Sequence, residues 1–221
     1  MIRGARDFSV ARSRMVAEQL EEAGITDRAV LQVMREIPRH LFVPQVLRHR
    51  AYHGCALPIG YEQTISQPFI VGLMTALLEL SGTETVLEVG TGSGYQAAIL
   101  SRLAARVVTV ERVEALALRS SRLLEELGCA NVEVYASDAS DGVPEHGPYQ
   151  AVITTACAPR LPDGLFHQLA EGGRLVIPIA RGEEQVLYRY RKLDGEPRIE
   201  RSVPCRFVPL LEGVVRKEDH A

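Results

Sequence analysis

The stretch Thr85-Val86-Leu87-Glu88-Val89-Gly90-Thr91-Gly92-Ser93-Gly94-Tyr95-Gln96 decides the fold. An apolar run of strand type reaches a carboxylate, passes three glycines at alternate positions and enters a helical pattern carried by Ala97, Ala98, Ile99 and Leu103. That order reads as strand, tight turn and helix start. Glycine lets the main chain take positive φ or come against a ligand with no Cβ in between. A helix start adds amide N–H groups and a partial positive charge. A small polar ligand is therefore expected along Gly90, Thr91, Gly92, Ser93 and Gly94.

The spacing is G-x-G-x-G. It departs from the dinucleotide fingerprint G-x-G-x-x-G, because Tyr95 stands three positions after Gly92. Glu88, just ahead of the turn, would repel a pyrophosphate and suit a cation. Glu111 follows the next apolar run and lies 21 residues after Gly90, where a carboxylate accepts hydrogen bonds from ribose hydroxyls. Asp138 follows a third run, 132 to 136. Three carboxylates at the ends of three successive strands suit a ligand with an ammonium, a ribose and an adenine, and S-adenosylmethionine carries all three with a sulfonium. Taken singly, Glu88 or Asp138 reads equally as a solvated loop residue, and Glu111 as a cap for the helix starting near Val113.

Outward from this stretch the chain alternates. Strands are predicted at 85–89, 106–110, 132–136, 149–154 and 174–179, with helices at 95–104, 113–127 and 163–170. Such alternation implies a doubly wound α/β sheet, mostly parallel, with ligands beyond the carboxyl ends of its strands. Upstream, Val16, Leu20 and Ala23 predict one helix ending at Gly24, and Asp27 caps a second carrying Val30, Leu31, Met34 and Ile37 up to Pro38. Pro44 opens a helical turn, and Pro68 opens a helix carrying Ile70, Val71, Met74, Leu77 and Leu78. Between them, 52 to 67 reads as a loop of 16 residues, a length more often functional than not. Downstream, 185–192 and 198–203 flank Asp194-Gly195 as an antiparallel hairpin whose Arg189, Arg191, Lys192 and Arg198 read as its solvated face. Lys217 to Ala221 reads as a frayed tail.

Composition bounds the partners. The chain of 221 residues is 46% hydrophobic, enough for one sizeable core, and its net charge of -3 gives no electrostatic footprint for nucleic acid. No apolar run approaches the length that crosses a bilayer, and Arg3, Arg6, Arg12 and Arg14 are followed by no apolar core of a secretory signal. Cys55, Cys129, Cys157 and Cys205 form no C-x-x-C pair and read as reduced thiols. A cytoplasmic monomer without a membrane or nucleic-acid partner is expected. His49 and His53 stand four apart but lack an acidic third ligand at a known spacing, so no metal site is expected.

The segment before Pro68, Leu57-Pro58-Ile59-Gly60-Tyr61-Glu62-Gln63-Thr64-Ile65-Ser66-Gln67, completes a wider set of motifs. With Pro38-Arg39, Phe42-Val43-Pro44, Val110-Glu111-Arg112, Gly172-Gly173-Arg174-Leu175-Val176 and Phe207-Val208-Pro209-Leu210, the chain resembles the protein-L-isoaspartate O-methyltransferases along nearly its whole length. The resemblance implies a single methyltransferase domain over 1–221, with helices and a substrate loop in 1–67 and a Rossmann-like core with C-terminal strands in 68–221. It implies methyl transfer from S-adenosylmethionine to the α-carboxylate of L-isoaspartyl residues in damaged proteins and peptides. By position, Ser66 matches the active-site serine, with Thr64 and Ile65 beside it. Thr155 and Ala156 match the segment bordering the substrate, and Gly90, Gly92, Glu111 and Asp138 match cofactor contacts.

Ser66 has a second reading as a cap for the helix after it, and Cys157 reads as a small buried side chain. The family pattern is broken at Gly54, Glu62, Ser137, Ala139 and Gln150. Ala139 removes backbone freedom beside the expected cofactor, and Glu62 adds negative charge beside an anionic substrate. Two alternatives stay open on this basis: a carboxyl methyltransferase acting on an aspartate of a ribosomally made peptide, and a non-catalytic S-adenosylmethionine-binding homologue.

Overall fold

A computed structural model of the chain describes residues 7–216. Arg3, Arg6 and the expected tail from Lys217 to Ala221 lie outside them. The chain opens with α1 (Ser9–Val16), which runs on into a π-helical turn, Ala17–Glu21. Met15, Val16, Leu20 and Ile25 are buried, while Ala23, expected on the same face, falls in the turn that follows the helix and is exposed. Asp27 caps α2 (Arg28–Glu36) as expected, accepting hydrogen bonds from the amides of Ala29 and Val30 at 3.0 and 3.1 Å. Two 3-10 turns follow, at Arg39–Phe42 and Gln45–Arg50.

The expected loop of 52–67 is in part a small sheet. β1 (Leu57–Gly60) pairs antiparallel with β2 (Gln63–Ile65) across a turn in which Tyr61 and Glu62 take φ of 53° and 58°. Left-handed turns of this kind normally use Asn or Gly, so the sequence carries no hairpin signal here. Pro68 then opens α3 (Pro68–Leu77), whose expected apolar positions are buried.

The central sheet follows: β3 (Thr85–Val89), α4 (Tyr95–Leu100), β4 (Arg106–Glu111), α5 (Glu114–Glu126), β5 (Val132–Ala136), β6 (Tyr149–Thr154), α6 (Asp163–His167), β7 (Leu169–Arg181), β8 (Glu184–Leu193) and β9 (Glu196–Cys205). Strand order is β5-β4-β3-β6-β7-β8-β9, parallel up to β7 and antiparallel beyond. α6 ends earlier than expected because Leu169 already pairs with Tyr149, and the register shift beside it carries β7 past Gly172 and Gly173 into its main ladder. Successive strand residues point to opposite faces. Val86 and Val107 join the core that packs α3 and α4, while Leu87 and Val108 join the one on the other side.

Of the hairpin's basic side chains Arg198 is exposed as expected, but Arg189 and Arg191 are not a solvated face. Arg189 is bound by Glu79 and Glu200 at 2.6 and 2.7 Å and its side chain is only 13% exposed; Arg191 shares the same two carboxylates. Lys192 donates to the Leu169 carbonyl. Among the described residues no helix is long and apolar enough to cross a membrane.

The α2 cap contributes measurably to stability. Asp27→Ala removes two accepted hydrogen bonds, so denaturant unfolding should show a loss of about 1 kcal/mol.

Candidate active site

The strand order reverses between β3 and β6, and the crevice at that switch point is set by one close approach. Gly90 has φ of +95°, and a Cβ there would lie 2.4 Å from the Thr155 hydroxyl oxygen. That hydroxyl donates to the carbonyl of Gly90 at 2.6 Å, tying the ends of β3 and β6 together. Gly92, at φ +52°, is held by its amide, which donates to Glu111 Oε2 at 2.7 Å. Gly94 serves another purpose: a Cβ there would lie 3.1 Å from the Ser120 Cβ, so this glycine seats α4 against α5 and is not part of the cavity wall.

Beyond the strand ends lies a concave site, part of it open to solvent, at the place where small-molecule sites of such sheets form. It brings together Glu88, Gly90, Thr91, Gly92, Ser93 and Glu111 from the cofactor set. Thr64, Ile65, Ser66, Thr155 and Ala156 of the expected acceptor set share its wall.

The three expected carboxylates have three different environments. Glu88 is fully buried; Oε2 accepts from the Thr109 hydroxyl at 2.6 Å, while Oε1 has no hydrogen-bond partner. Burial, with the nearby Glu111 charge adding to it, pushes its carboxyl up to about 8 against the pull of Thr109. Glu111 is also buried, and burial raises its pKa, though its oxygens accept the Gly92 and Val113 amides. Asp138 is absent from the cavity wall. Its oxygens accept from the Ser140 amide and hydroxyl and from the Gly213 amide. Burial would raise it, but the Ser140 and Gly213 bonds prevail and hold it below the ordinary value.

That last bond belongs to a feature absent from the sequence reading. After β9 the chain straps back across the carboxyl edge of the sheet. The Cys157 amide donates to the Val208 carbonyl and the Leu210 amide to the Cys157 carbonyl, both at 2.7 Å. Farther on, Val215 pairs with Val113, and Arg112 donates to the carbonyls of Glu212 and Gly213. Val208, Pro209, Leu210 and Leu211 thereby roof the cavity. The only advance signal was the Phe207-Val208-Pro209-Leu210 motif.

The acceptor side is fixed by a buried cation. Arg39, with no exposed surface, donates to the Ala51 carbonyl at 2.8 Å and the Ser66 carbonyl at 2.6 Å, and lies over the Tyr95 ring at 4.9 Å. Ser66 is thus held by its main chain. It does not cap α3, whose N-cap is Gln67 with no side-chain cap bond. The Ser66 and Thr64 hydroxyls make no hydrogen bond to any described residue. Glu62 sits exposed at the β1–β2 turn and lines no part of this wall; a Cβ on Gly54 would face Gln19 at 3.3 Å. Among the described residues no group of three or more His, Cys, Asp or Glu side chains is placed to hold a metal ion, and His49 and His53 belong to no such group.

The wall fits S-adenosylmethionine: a buried carboxylate with a free oxygen for a cation, a second carboxylate, and a turn open to close approach at Gly90 and Gly92. Fold and site together define an S-adenosylmethionine-dependent methyltransferase. Residues 11–215 match the protein-L-isoaspartate(D-aspartate) O-methyltransferase family, and the chain belongs to it. It is 52% identical to the protein-L-isoaspartate O-methyltransferase of Geobacter metallireducens and 50% identical to that of Trichlorobacter lovleyi, each over 93% of this chain and 95% of the relative. Among solved structures it is similar to a protein-L-isoaspartate O-methyltransferase with a TM-score of 0.78 and 29% identity, covering 90% of this chain and 65% of that one. A Plasmodium falciparum protein provisionally named in the same way, in complex with S-adenosyl-L-homocysteine, superposes with a TM-score of 0.79 and 25% identity over 90% of this chain and 98% of its own.

If Glu88 holds the cofactor's cation, binding is expected to depend on pH. At pH 7 a carboxyl titrating at about 8 is mostly protonated, and a bound cation favours its ionised form. S-adenosylmethionine binding should release a proton, seen by calorimetry in buffers of different ionisation heat, and affinity should rise from pH 6 to 8 and then level. Glu88→Gln should remove both effects.

Proposed function

We propose that this protein methylates the α-carboxylate of L-isoaspartyl residues in damaged proteins and peptides, the first step of their repair. The observation that carries the reading is that Thr64, Ser66 and Thr155 line both the cavity containing Glu88 and a second hollow beside it. In this reading cofactor and acceptor occupy separate chambers that meet at Thr64, Ser66, Thr155 and Val208. S-adenosylmethionine, when bound, supplies a methyl group activated by its sulfonium. Glu88, Glu111 and the turn at Gly90–Ser93 would hold it.

The acceptor needs no base. A carboxylate with a reference pKa around 4 is ionised at neutrality and is already a nucleophile. What this chain contributes is alignment, which supplies several kcal/mol to a displacement between two bound groups. In this reading the Ser66 hydroxyl donates to the acceptor carboxylate, Arg39 keeps the Ser66 main chain in place, and Thr64, Ile65, Thr155 and Ala156 shape the passage between chambers. The segment from Val208 to Leu211 covers one side of the inner cavity, and Val208 borders the passage. The chain acts as one domain, a reading supported by residues of both 1–67 and 68–216 lining the same cavity. A reducing, cytoplasmic setting is supported by four cysteines that are all free. Glu62 and Gly54, which motivated a different carboxylate acceptor, are both away from the cavity wall.

The test is transfer of labelled methyl from S-adenosylmethionine to two matched peptides, one with L-isoaspartate and one with aspartate. Label should appear on the isoaspartyl peptide alone and be released by mild base, as an ester is. Ser66→Ala should lower kcat/KM by about tenfold to a hundredfold, the worth of one hydrogen bond to a charged group. Cofactor binding without label on either peptide would overturn the reading.

A further inference from the structure

The second hollow carries a charge that the reaction itself does not require. Thr64, Ser66 and Thr155 form its boundary with the inner cavity, Ile70 and Phe207 give it an apolar side, and Arg206 completes it. Arg206 is the one ionisable side chain of this lining, and it is not part of the inner cavity. Its side chain is exposed and makes no hydrogen bond or ion pair with any described residue. Three nearby arginines are committed elsewhere: Arg189 and Arg191 to Glu79 and Glu200, and Arg181 to the Tyr188 ring and hydroxyl.

The base of Arg206 is nonetheless fixed. Gln185 clamps the next residue from both sides, its Oε1 accepting the Phe207 amide at 2.5 Å and its Nε2 donating to the Phe207 carbonyl at 3.1 Å. One residue farther, Val208 is bound by the Cys157 amide. The result is an anchored main chain carrying a free guanidinium, a group that pairs with a carboxylate through a fork of donors.

We propose that Arg206 is a specificity-determining residue: it takes a carboxylate carried by the acceptor segment next to the reacting residue, so that segments with an acidic neighbour are preferred over segments with a basic one. The reacting carboxylate is not its partner. That group must reach the hydroxyls shared with the inner cavity, whose wall excludes Arg206. A guanidinium fork on it would also engage the lone pairs needed for attack. The inference rests on the reading of this hollow as the acceptor chamber.

The test uses three isoaspartyl peptides, identical except for Glu, Gln or Lys on both sides of the isoaspartate. The full-length wild type should show a KM about threefold to tenfold lower for the Glu peptide than for the Lys peptide, the range of a partly exposed ion pair. High salt should compress that ratio. Arg206→Gln should collapse it through KM, Arg206→Lys should restore part of it, and Arg206→Glu should invert it. A misfolded variant cannot invert a preference, so the reversal separates recognition from loss of structure. A Glu-over-Lys ratio that survives Arg206→Gln, or a uniform fall in kcat on all three peptides, would overturn the assignment. Methylation of all three without charge preference removes the Arg206 inference alone. Methylation of none removes the isoaspartyl reading and this inference with it.

Discussion

The crevice exists because Gly90 and Thr155 come closer than any side chain on Gly90 would permit. With a Cβ position 2.4 Å from the Thr155 oxygen, the two strand ends are joined where the β3–β6 ladder stops, and the hydrogen bond from Thr155 replaces the ladder bond that a longer strand would have made. Everything at the site is placed relative to that junction. Glu88 lies on β3 just beneath it. The β1–β2 hairpin brings Ser66 and Thr64 up to Thr155, and the strap from 206 to 215 binds Cys157, two residues past it.

The junction also explains an electrostatic cost. Glu88 sits between neighbouring strands with no exposed surface, its only described partner the Thr109 hydroxyl. Its carboxyl is raised from 4.5 to about 8, and each pKa unit corresponds to about 1.4 kcal/mol. The folded protein binds this proton more tightly than the unfolded chain does. Its contribution to stability is therefore complete below the unfolded pKa and is lost as pH rises through the folded one. A glutamine would avoid that loss, so the fold by itself does not call for a carboxylate at this position. Asp138 shows the opposite case: with its oxygens bonded to Ser140 and Gly213, its ionised form supports the fold directly.

Much of this was legible in the chain. The inner parallel strands β3, β4 and β6 are largely buried on both faces and read as mainly apolar runs, Pro68 and the spacing of Ile70, Val71 and Met74 mark α3, and the glycine turn stands out by its spacing. What escaped is what main-chain geometry decides. The β1–β2 turn is made by Tyr61 and Glu62 in left-handed conformations that neither residue advertises. The strap is held by main-chain hydrogen bonds to Cys157 and Arg112, which leave no periodic pattern. Asp138 was legible as a carboxylate at a strand end, but its partner, the Gly213 amide, lies 75 residues away. Ala23 left the buried face for the same kind of reason: the helix ends before it, and the main chain of 22–24 turns away.

The breaks in the family pattern illustrate the difference between a residue's chemistry and its conformational demand. Ala139 stands where backbone freedom was expected to matter, and it does line the cavity. Yet it lies within a 3-10 turn capped by Asp138, a negative-φ conformation that alanine adopts without strain. The positive φ in this segment falls at Gly142, at 66°, where a Cβ would come within 2.7 to 2.9 Å of Gln168 and Leu165. Gln150, in place of an acid, accepts the Thr85 amide at 2.9 Å across the β3–β6 edge. A glycine is indispensable where φ is positive or a neighbour is closer than a Cβ allows. By that criterion the chain keeps its glycines at 90, 92, 94 and 142 and loses none that the turn after β5 requires.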